Sequence, residues 1–449
     1  MGGCSSSPAT KDAPARTNNN TKNQSGTKKP AAPVKGQKPE SHPDFGLKET
    51  HDVIKFLGRG GTGDTYLFKD KQNGEEVAVK LIRRPIPKVI MPNILREIRI
   101  QAELGEGHMN VINAKEVLLT QTHLALVMEF AAGASLTSYV AEKWQAAQHT
   151  GLFLTEDEAR YFFKQFVGAV EYCHQHCVAH RDLKLDNTLL DNSEPPMIKL
   201  CDFGFAKTWA GDDANMMTHI GTPVYMSPEL IHSRNGAKGY DGKLVDVWAS
   251  GVLLIVMLLG TFPFDHLEHP DPNTTEAHLE VWLQQVKQKW SEIPHISKQV
   301  EKAHLSPECI DLLNRIFVID EKDRISLQQI KAHPWYNKPL LAKHTHAEKQ
   351  IATQQAEIQR YITTRQIDPV KLQARSDELA RMVEAAAVRP QAGSHEALIR
   401  INLRESAVTN QIAASSVGQL GSISETAPGS AAAPQGAPVA ANGMMANHQ

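Results

Sequence analysis

Two short clusters of oxygen-bearing side chains, held at one spacing, constrain this chain more than any other feature. His180-Arg181-Asp182-Leu183-Lys184-Leu185-Asp186-Asn187 is followed by Asp202-Phe203-Gly204, fifteen residues after Asn187. Asp and Asn oxygens suit a hard divalent cation, where His or Cys would not. Either triplet alone occurs often by chance. Both together, at this spacing, are a strong signal.

Composition narrows the classes. A formal net charge of −2 over 449 residues gives no global field for nucleic acid. A hydrophobic content of 41% allows a proper core. Five cysteines (Cys4, Cys173, Cys177, Cys201, Cys309) form an odd, sparse set, which points to a reducing compartment rather than a disulfide framework. No secretory signal is evident, and the longest apolar run, Val252 to Leu259, falls far short of the ~20 residues of a membrane span.

Residues 1–48 are rich in Ser, Pro, Asn, Lys and Thr, and the sequence predicts a disordered tail there. Met1-Gly2-Gly3-Cys4-Ser5-Ser6 matches the N-myristoylation pattern, with Gly2 as acceptor. One acyl chain anchors weakly; palmitoylation of Cys4 would add a second. Eight Lys/Arg against three Asp/Glu through residue 48 leave a net +5, suited to an anionic leaflet. The expected location is therefore cytoplasmic, at the inner face of a membrane.

From His51 the pattern alternates. Val53 to Leu57 reads as a strand, followed by Gly58-Arg59-Gly60-Gly61-Thr62-Gly63. Such a glycine run also marks dinucleotide-binding turns, but those open a helix. Here Asp64 to Phe68 continues as a strand, and Glu76-Val77-Ala78-Val79-Lys80 ends the next strand on a lysine. A helix follows near Asn93–Leu104 and carries Glu97. Leu124 to Met128 reads as a buried strand that leads into Glu129-Phe130-Ala131-Ala132-Gly133. Thr155-Glu156-Asp157-Glu158 reads as a capping box opening a long helix whose apolar positions recur at helical spacing. Cys173, His174, His176, Cys177 and His180 crowd into eight residues, but their spacing matches no common zinc site, so ordinary packing is the favoured reading. Asp246-Val247-Trp248 begins a helix apolar on all sides, the expected buried centre of a large lobe.

Taken in order, the glycine loop between strands, the strand lysine Lys80, Glu97, the Asp182 loop and Asp202-Phe203-Gly204 resemble a protein kinase. The set from Gly58 to Arg324 covers about three-fifths of the chain. The resemblance implies an α+β, two-lobed protein kinase fold with a small β-rich lobe, a large helical lobe and disordered termini. It places the kinase domain at 51–336 (small lobe about 51–130, large lobe about 131–336), a helical regulatory extension at 340–389, and a low-complexity disordered tail at 390–449.

It also assigns roles. Asp182 would accept the substrate hydroxyl proton. Lys184 would neutralise the phosphoryl group in flight, which marks Ser/Thr kinases. Lys80, ion-paired with Glu97, would grip the ATP phosphates, and Asn187 and Asp202 would hold magnesium. Leu57, Gly58, Gly60, Gly63 and Thr65 would cover the nucleotide. Glu129 and Ala131 would bond its adenine, with Met128 at the back wall. Asp246 would brace the catalytic loop, and Arg324 would pair with Glu229. Thr218, four residues before Thr222, is the expected phosphorylation site, paired with Arg181 and modified by an upstream kinase.

HRDLKLDNTLLD (His180–Asp191), Tyr240-Asp241-Gly242-Lys243 and Leu305-Ser306-Pro307-Glu308-Cys309 are more specific. They resemble the plant and algal sucrose-nonfermenting-related kinases, subfamily two: cytosolic and nuclear Ser/Thr kinases of osmotic and nutrient stress. This chain departs from them at Thr62, Thr65 and Ser135, and in its lipidation-like N-terminus. The implied function is transfer of the ATP γ-phosphate to protein hydroxyls in stress or nutrient signalling, with protein substrates and no nucleic acid. A membrane-tethered pseudokinase or scaffold is the competing class. The helix expected from about Pro369 to Val388 has an apolar face (Leu379, Met382, Val383, Ala386) too short to stand alone in water. It packs either on the outer side of the Glu97 helix or on another protein.

Overall fold

The computed structural model describes residues 45–209, 215–216, 222–233, 239–266, 271, 274–364, 369–388 and 398–403. Gly2, Cys4 and Thr218 lie outside the described residues.

The small lobe is built on an antiparallel sheet whose strands have the branched and apolar side chains that pack on a pleated surface. β1 (His51–Arg59), β2 (Asp64–Asp70), β3 (Glu76–Arg83), β4 (Ala114–Leu119) and β5 (His123–Glu129) lie in the order β1-β2-β3-β5-β4. The central β3 is buried from Val77 to Ile82, which fixes its register between β2 and β5. Helix α1 (Met91–Leu104), opened by Pro92, crosses the sheet and buries Ile94, Ile98 and Ala102.

Two helices centre the large lobe. Thr155 caps α2 (Glu156–Gln175) by accepting the Glu158 N–H at 3.2 Å. The reciprocal half of the expected capping box does not form. The Glu158 carboxylate instead accepts the Tyr139 hydroxyl at 2.5 Å, because that tyrosine needs an acceptor where it packs on Phe162. Helix α3 (Gly242–Leu259) is buried almost throughout. Its Trp248 stacks on Phe264 with ring centroids 5.5 Å apart. Each such large buried side chain contributes about 1.5–3 kcal/mol.

Two boundaries differ from the sequence expectation. The tail assigned to 1–48 joins the fold earlier: Phe45 and Leu47 are buried against Tyr66, Phe68 and Leu118. The Phe45 carbonyl accepts the Thr120 hydroxyl at 2.9 Å. The tail assigned to 390–449 contains a sixth strand, β6 (Ile399–Asn402), which pairs antiparallel with β4 and buries Ile401 and Leu403. The described parts of these segments hold two (Phe45, Leu47) and four (Leu398, Ile399, Ile401, Leu403) apolar residues, and their stability comes from pairing and packing on the sheet.

The extension forms α4 (Ala342–Thr364) and α5 (Pro369–Ala386). Leu379, Met382, Val383 and Ala386 of α5 are buried in one cluster with Ile94 and Ile98 of α1. Arg84 donates to the α5 carbonyls of Ala385 (2.8 Å) and to Val388 O (3.1 Å). The amphipathic face thus packs on the Glu97 helix.

Candidate active site

The two lobes enclose a cleft of about 660 Å³. Leu57, Gly58, Gly60, Thr65, Lys80 and Glu97 line it from the small lobe, Glu129 and Ala131 from the connection, and Asn187 and Asp202 from the large lobe. Met128 closes part of the wall, as expected. Gly63 is the exception among the predicted nucleotide residues. It stands outside the lining, and a Cβ there would meet the Leu81 carbonyl at 2.3 Å. It lets the loop close on β3, where Gly60 N–H bonds its carbonyl at 2.9 Å.

Lys80 and Glu97, seventeen residues apart, meet at 2.5 Å, and Lys80 lies 4.0 Å from Asp202. Both paired side chains are nearly buried. Burial alone would lower the Lys80 pKa, but the Glu97 and Asp202 carboxylates outweigh it and raise the pKa, so the ammonium stays charged.

Asp182 is held from three sides. Its Oδ2 accepts from Lys184 Nζ at 2.7 Å and from Asn187 Nδ2 at 3.0 Å, and its Oδ1 accepts the Thr222 hydroxyl at 3.0 Å. The carboxylate is thus aimed with few rotamers left to it. Asp246, fully buried, accepts the backbone N–H of His180 (2.9 Å) and of Arg181 (2.8 Å), which is the predicted brace. Arg181 (φ 64°) and Asp202 (φ 63°) both adopt the left-handed conformation that non-glycine residues rarely take. Arg324 forks onto Glu229 at 2.6 and 2.8 Å beneath the site, as expected.

The donor set suits a hard cation. Asn187 spends Nδ2 on Asp182 and leaves Oδ1 for a metal, while Asp202 presents a part-exposed carboxylate to the same cleft. The Cys/His run resolves into packing and loop support. Cys173 is buried, His174 bonds Asp246 at 2.8 Å, His176 bonds the Tyr172 carbonyl and His180 bonds the Cys201 carbonyl. Ser135 caps the short helix Leu136–Glu142, and Thr137 donates to Asp186 at 3.1 Å.

Thr222 is the functional residue that sequence reading missed. In the sequence it serves only to mark the position of Thr218, and the Gly221-Thr222-Pro223 run is the signal that could single it out. Arg181, predicted to meet a phosphate on Thr218, donates to the Phe205 carbonyl and the Tyr240 hydroxyl.

Residues 51–336 match the family described as protein kinase domain. The chain belongs to the protein kinase family. Its relatives include serine/threonine-protein kinase SRK2E of Arabidopsis thaliana, 42% identical over 294 residues that span 66% of this chain and 73% of that one. SAPK9 of Oryza sativa subsp. japonica is 40% identical over 294 residues (66% and 73%), and SRK2A of Physcomitrium patens 40% over 294 residues (66% and 76%). They place this kinase in subfamily two of the sucrose-nonfermenting-related kinases, as a Ser/Thr protein kinase.

Proposed function

We propose that this kinase moves the γ-phosphate of ATP to Ser or Thr hydroxyls of protein substrates in stress or nutrient signalling, using the residues that line the cleft together with Asp182 and Lys184 beside it. Asn187 and Asp202 would hold magnesium, which when bound neutralises phosphate charge. Lys80, oriented by Glu97, would bond phosphate oxygens from above. Asp182 would take the proton as the hydroxyl oxygen attacks phosphorus, and the ADP oxygen would leave on the opposite side. Lys184 would offset the charge that develops between them. The observation that carries this reading is the Asp182 carboxylate, fixed by Lys184, Asn187 and Thr222 while Lys80 and Glu97 are closed. Radiolabelled ATP, magnesium and a generic protein acceptor test it. No transfer by a wild type that binds ATP would favour the scaffold alternative, which no feature of the cleft supports.

Two regulatory features belong to the same proposal. Phosphorylation of Thr218 by an upstream kinase would bring an anion to Arg181, Arg96 and Lys207. Partial burial, then repulsion from Arg181 and Arg96, lowers the Lys207 pKa, and a phosphate would relieve that repulsion. Equal activity of Thr218→Ala and wild type, each purified from cells, would end this reading. Acylation of Gly2 and Cys4, aided by the basic tail, would hold the kinase at the cytoplasmic face of an anionic membrane. Gly2→Ala should move it to the soluble fraction; a wholly soluble wild type would refute anchoring.

A further inference from the structure

Helix α4 carries two glutamines on its inward face. Ile351, Gln355, Ile358, Gln359 and Ile362 are the less exposed positions of its second half, at helical spacing. A long polar side chain on such a face needs partners, and both glutamines find them in one short loop. Gln355 Oε1 accepts the Met109 N–H at 2.9 Å, and its Nε2 donates to the Gly107 carbonyl at 2.8 Å. Gln359 Nε2 donates to that same carbonyl at 3.0 Å. The Gln355 amide thereby pairs with two main-chain groups as a neighbouring strand would.

That loop is the C-terminal attachment of the Glu97 helix. It begins where α1 ends, seven residues after Glu97, about 10 Å along the axis. Its other side is already fastened to the large lobe. The Tyr172 hydroxyl donates to the Leu104 carbonyl at 2.6 Å, and Asn110 Nδ2 donates to Gln165 Oε1 and the Ile198 carbonyl, each at 3.0 Å. Gly107 is wedged so closely that a Cβ would lie 1.9 Å from the Tyr172 hydroxyl oxygen. The base of α4 is anchored on α2, where His344 bonds Asp157 at 2.5 Å and stacks on Tyr161, and Lys164 meets Glu348 at 2.5 Å. Gln355 and Gln359 therefore complete a clamp whose two jaws, α2 and α4, both belong to or stand on the large lobe.

We propose that Gln355 and Gln359 are positioning residues for phosphoryl transfer: by clamping Gly107 and Met109 they fix the end of α1 and so the reach of Glu97 to Lys80. This hold is separate from that of α5, which packs along the helix rather than at its end. The extension then grips the Glu97 helix at two places. The inference rests on the catalytic reading of Lys80 and Glu97.

A double-mutant cycle in the full-length kinase tests it. Gln355→Met keeps length and packing and removes both hydrogen bonds. If it acts through Glu97, it lowers kcat about tenfold in the wild-type background and less than about twofold when Glu97→Gln is already present, because coupled residues are not additive. Hydrogen exchange at the Met109 amide, whose acceptor is lost, should accelerate in the variant. Equal fold-losses of kcat in both backgrounds would overturn the clamp while leaving the catalytic reading intact. A Glu97→Gln variant with undiminished kcat would overturn the catalytic reading and the clamp with it. Should Gln355→Met fail to fold, Gln359→Met, which spares the Gln355 bonds, passes through the same cycle under the same criterion.

Discussion

Thr222 donates its hydroxyl to Oδ1 of Asp182 over 3.0 Å, and Lys184 Nζ lies 3.3 Å from the same hydroxyl oxygen. The bond ties the chain just before Pro223 to the proposed base, through the carboxylate oxygen that Asn187 and Lys184 do not hold. A hydrogen bond to a charged group is worth about 1.5–3 kcal/mol. Thr222→Ala should therefore lower kcat by roughly 10- to 100-fold, with the ATP KM nearly unchanged. Thr222→Ser should keep most activity. Steady-state kinetics on both variants checks this, and full activity in the alanine variant would refute a role for the bond.

The base itself gives a sharper expectation. Asp182→Asn keeps the shape, and the amide can still accept one bond, but it cannot take a proton. General-base catalysis contributes about 10²- to 10⁴-fold, so transfer should fall by at least the lower figure. Nucleotide affinity, measured by calorimetry, should stay within about twofold, because Asp182 lies outside the lining of the cleft. An unimpaired variant would remove Asp182 from the reaction.

The active-site residues were legible because phosphoryl transfer restricts their chemistry: carboxylate and amide for a hard cation, lysine for phosphate, glycine where the backbone must approach closely. Asp246, Arg324 and Glu229 were legible only through the kinase resemblance, and the structure supplies the physical reason: their buried charges are each compensated, Asp246 by the His180 and Arg181 N–H groups and His174, Arg324 by Glu229. Thr222 was not: the Gly221-Thr222-Pro223 run marks the position, but whether its hydroxyl meets Asp182 depends on the path of the chain, which local sequence does not set. Phe45, Leu47 and β6 were missed because so few apolar residues in a polar run gain their stability only from a sheet that sequence cannot place beside them. The packing of α5 was half legible. Its face showed that it must pack on something, and only the structure shows Ile94 and Ile98 beneath it.

That packing gives the third prediction. Leu379 and Val383 are 3% and 2% exposed against α1. Replacing both with Asp would bury two unpaired carboxylates, which costs several kcal/mol. Undocking α5 is cheaper than keeping it in place, so the small lobe should persist without it. Leu379→Asp/Val383→Asp should lower kcat severalfold and lower Tm by several degrees. Unchanged melting and unchanged activity would show that α5 does not support Glu97.

The last prediction concerns pH and a single ring. His108 lies in the loop between α1 and β4, with Nδ1 accepting the Asn110 N–H at 3.1 Å and its ring 5.2 Å from that of Tyr172. Burial first, then the nearby charges of Lys199 and His176, push its pKa down to about 4 from 6.5. The folded chain therefore stays unprotonated at His108 while the unfolded chain takes up a proton once the pH drops below about 6.5. This site's contribution is fully present above that pH, is lost as pH falls from about 6.5 to about 4, and is constant below. The loss is at most about 3 kcal/mol. His51, His123 and His176 also have lowered pKa values, so the wild type alone would not isolate the effect. His108→Asn retains an acceptor for the Asn110 N–H and cannot titrate. Its stability relative to wild type, from urea denaturation at each pH, should be constant above pH 7 and should rise as pH falls from 6.5 to 4. Parallel curves for the two proteins through that window would show that the His108 ring is protonated as readily in the folded chain as in the unfolded one.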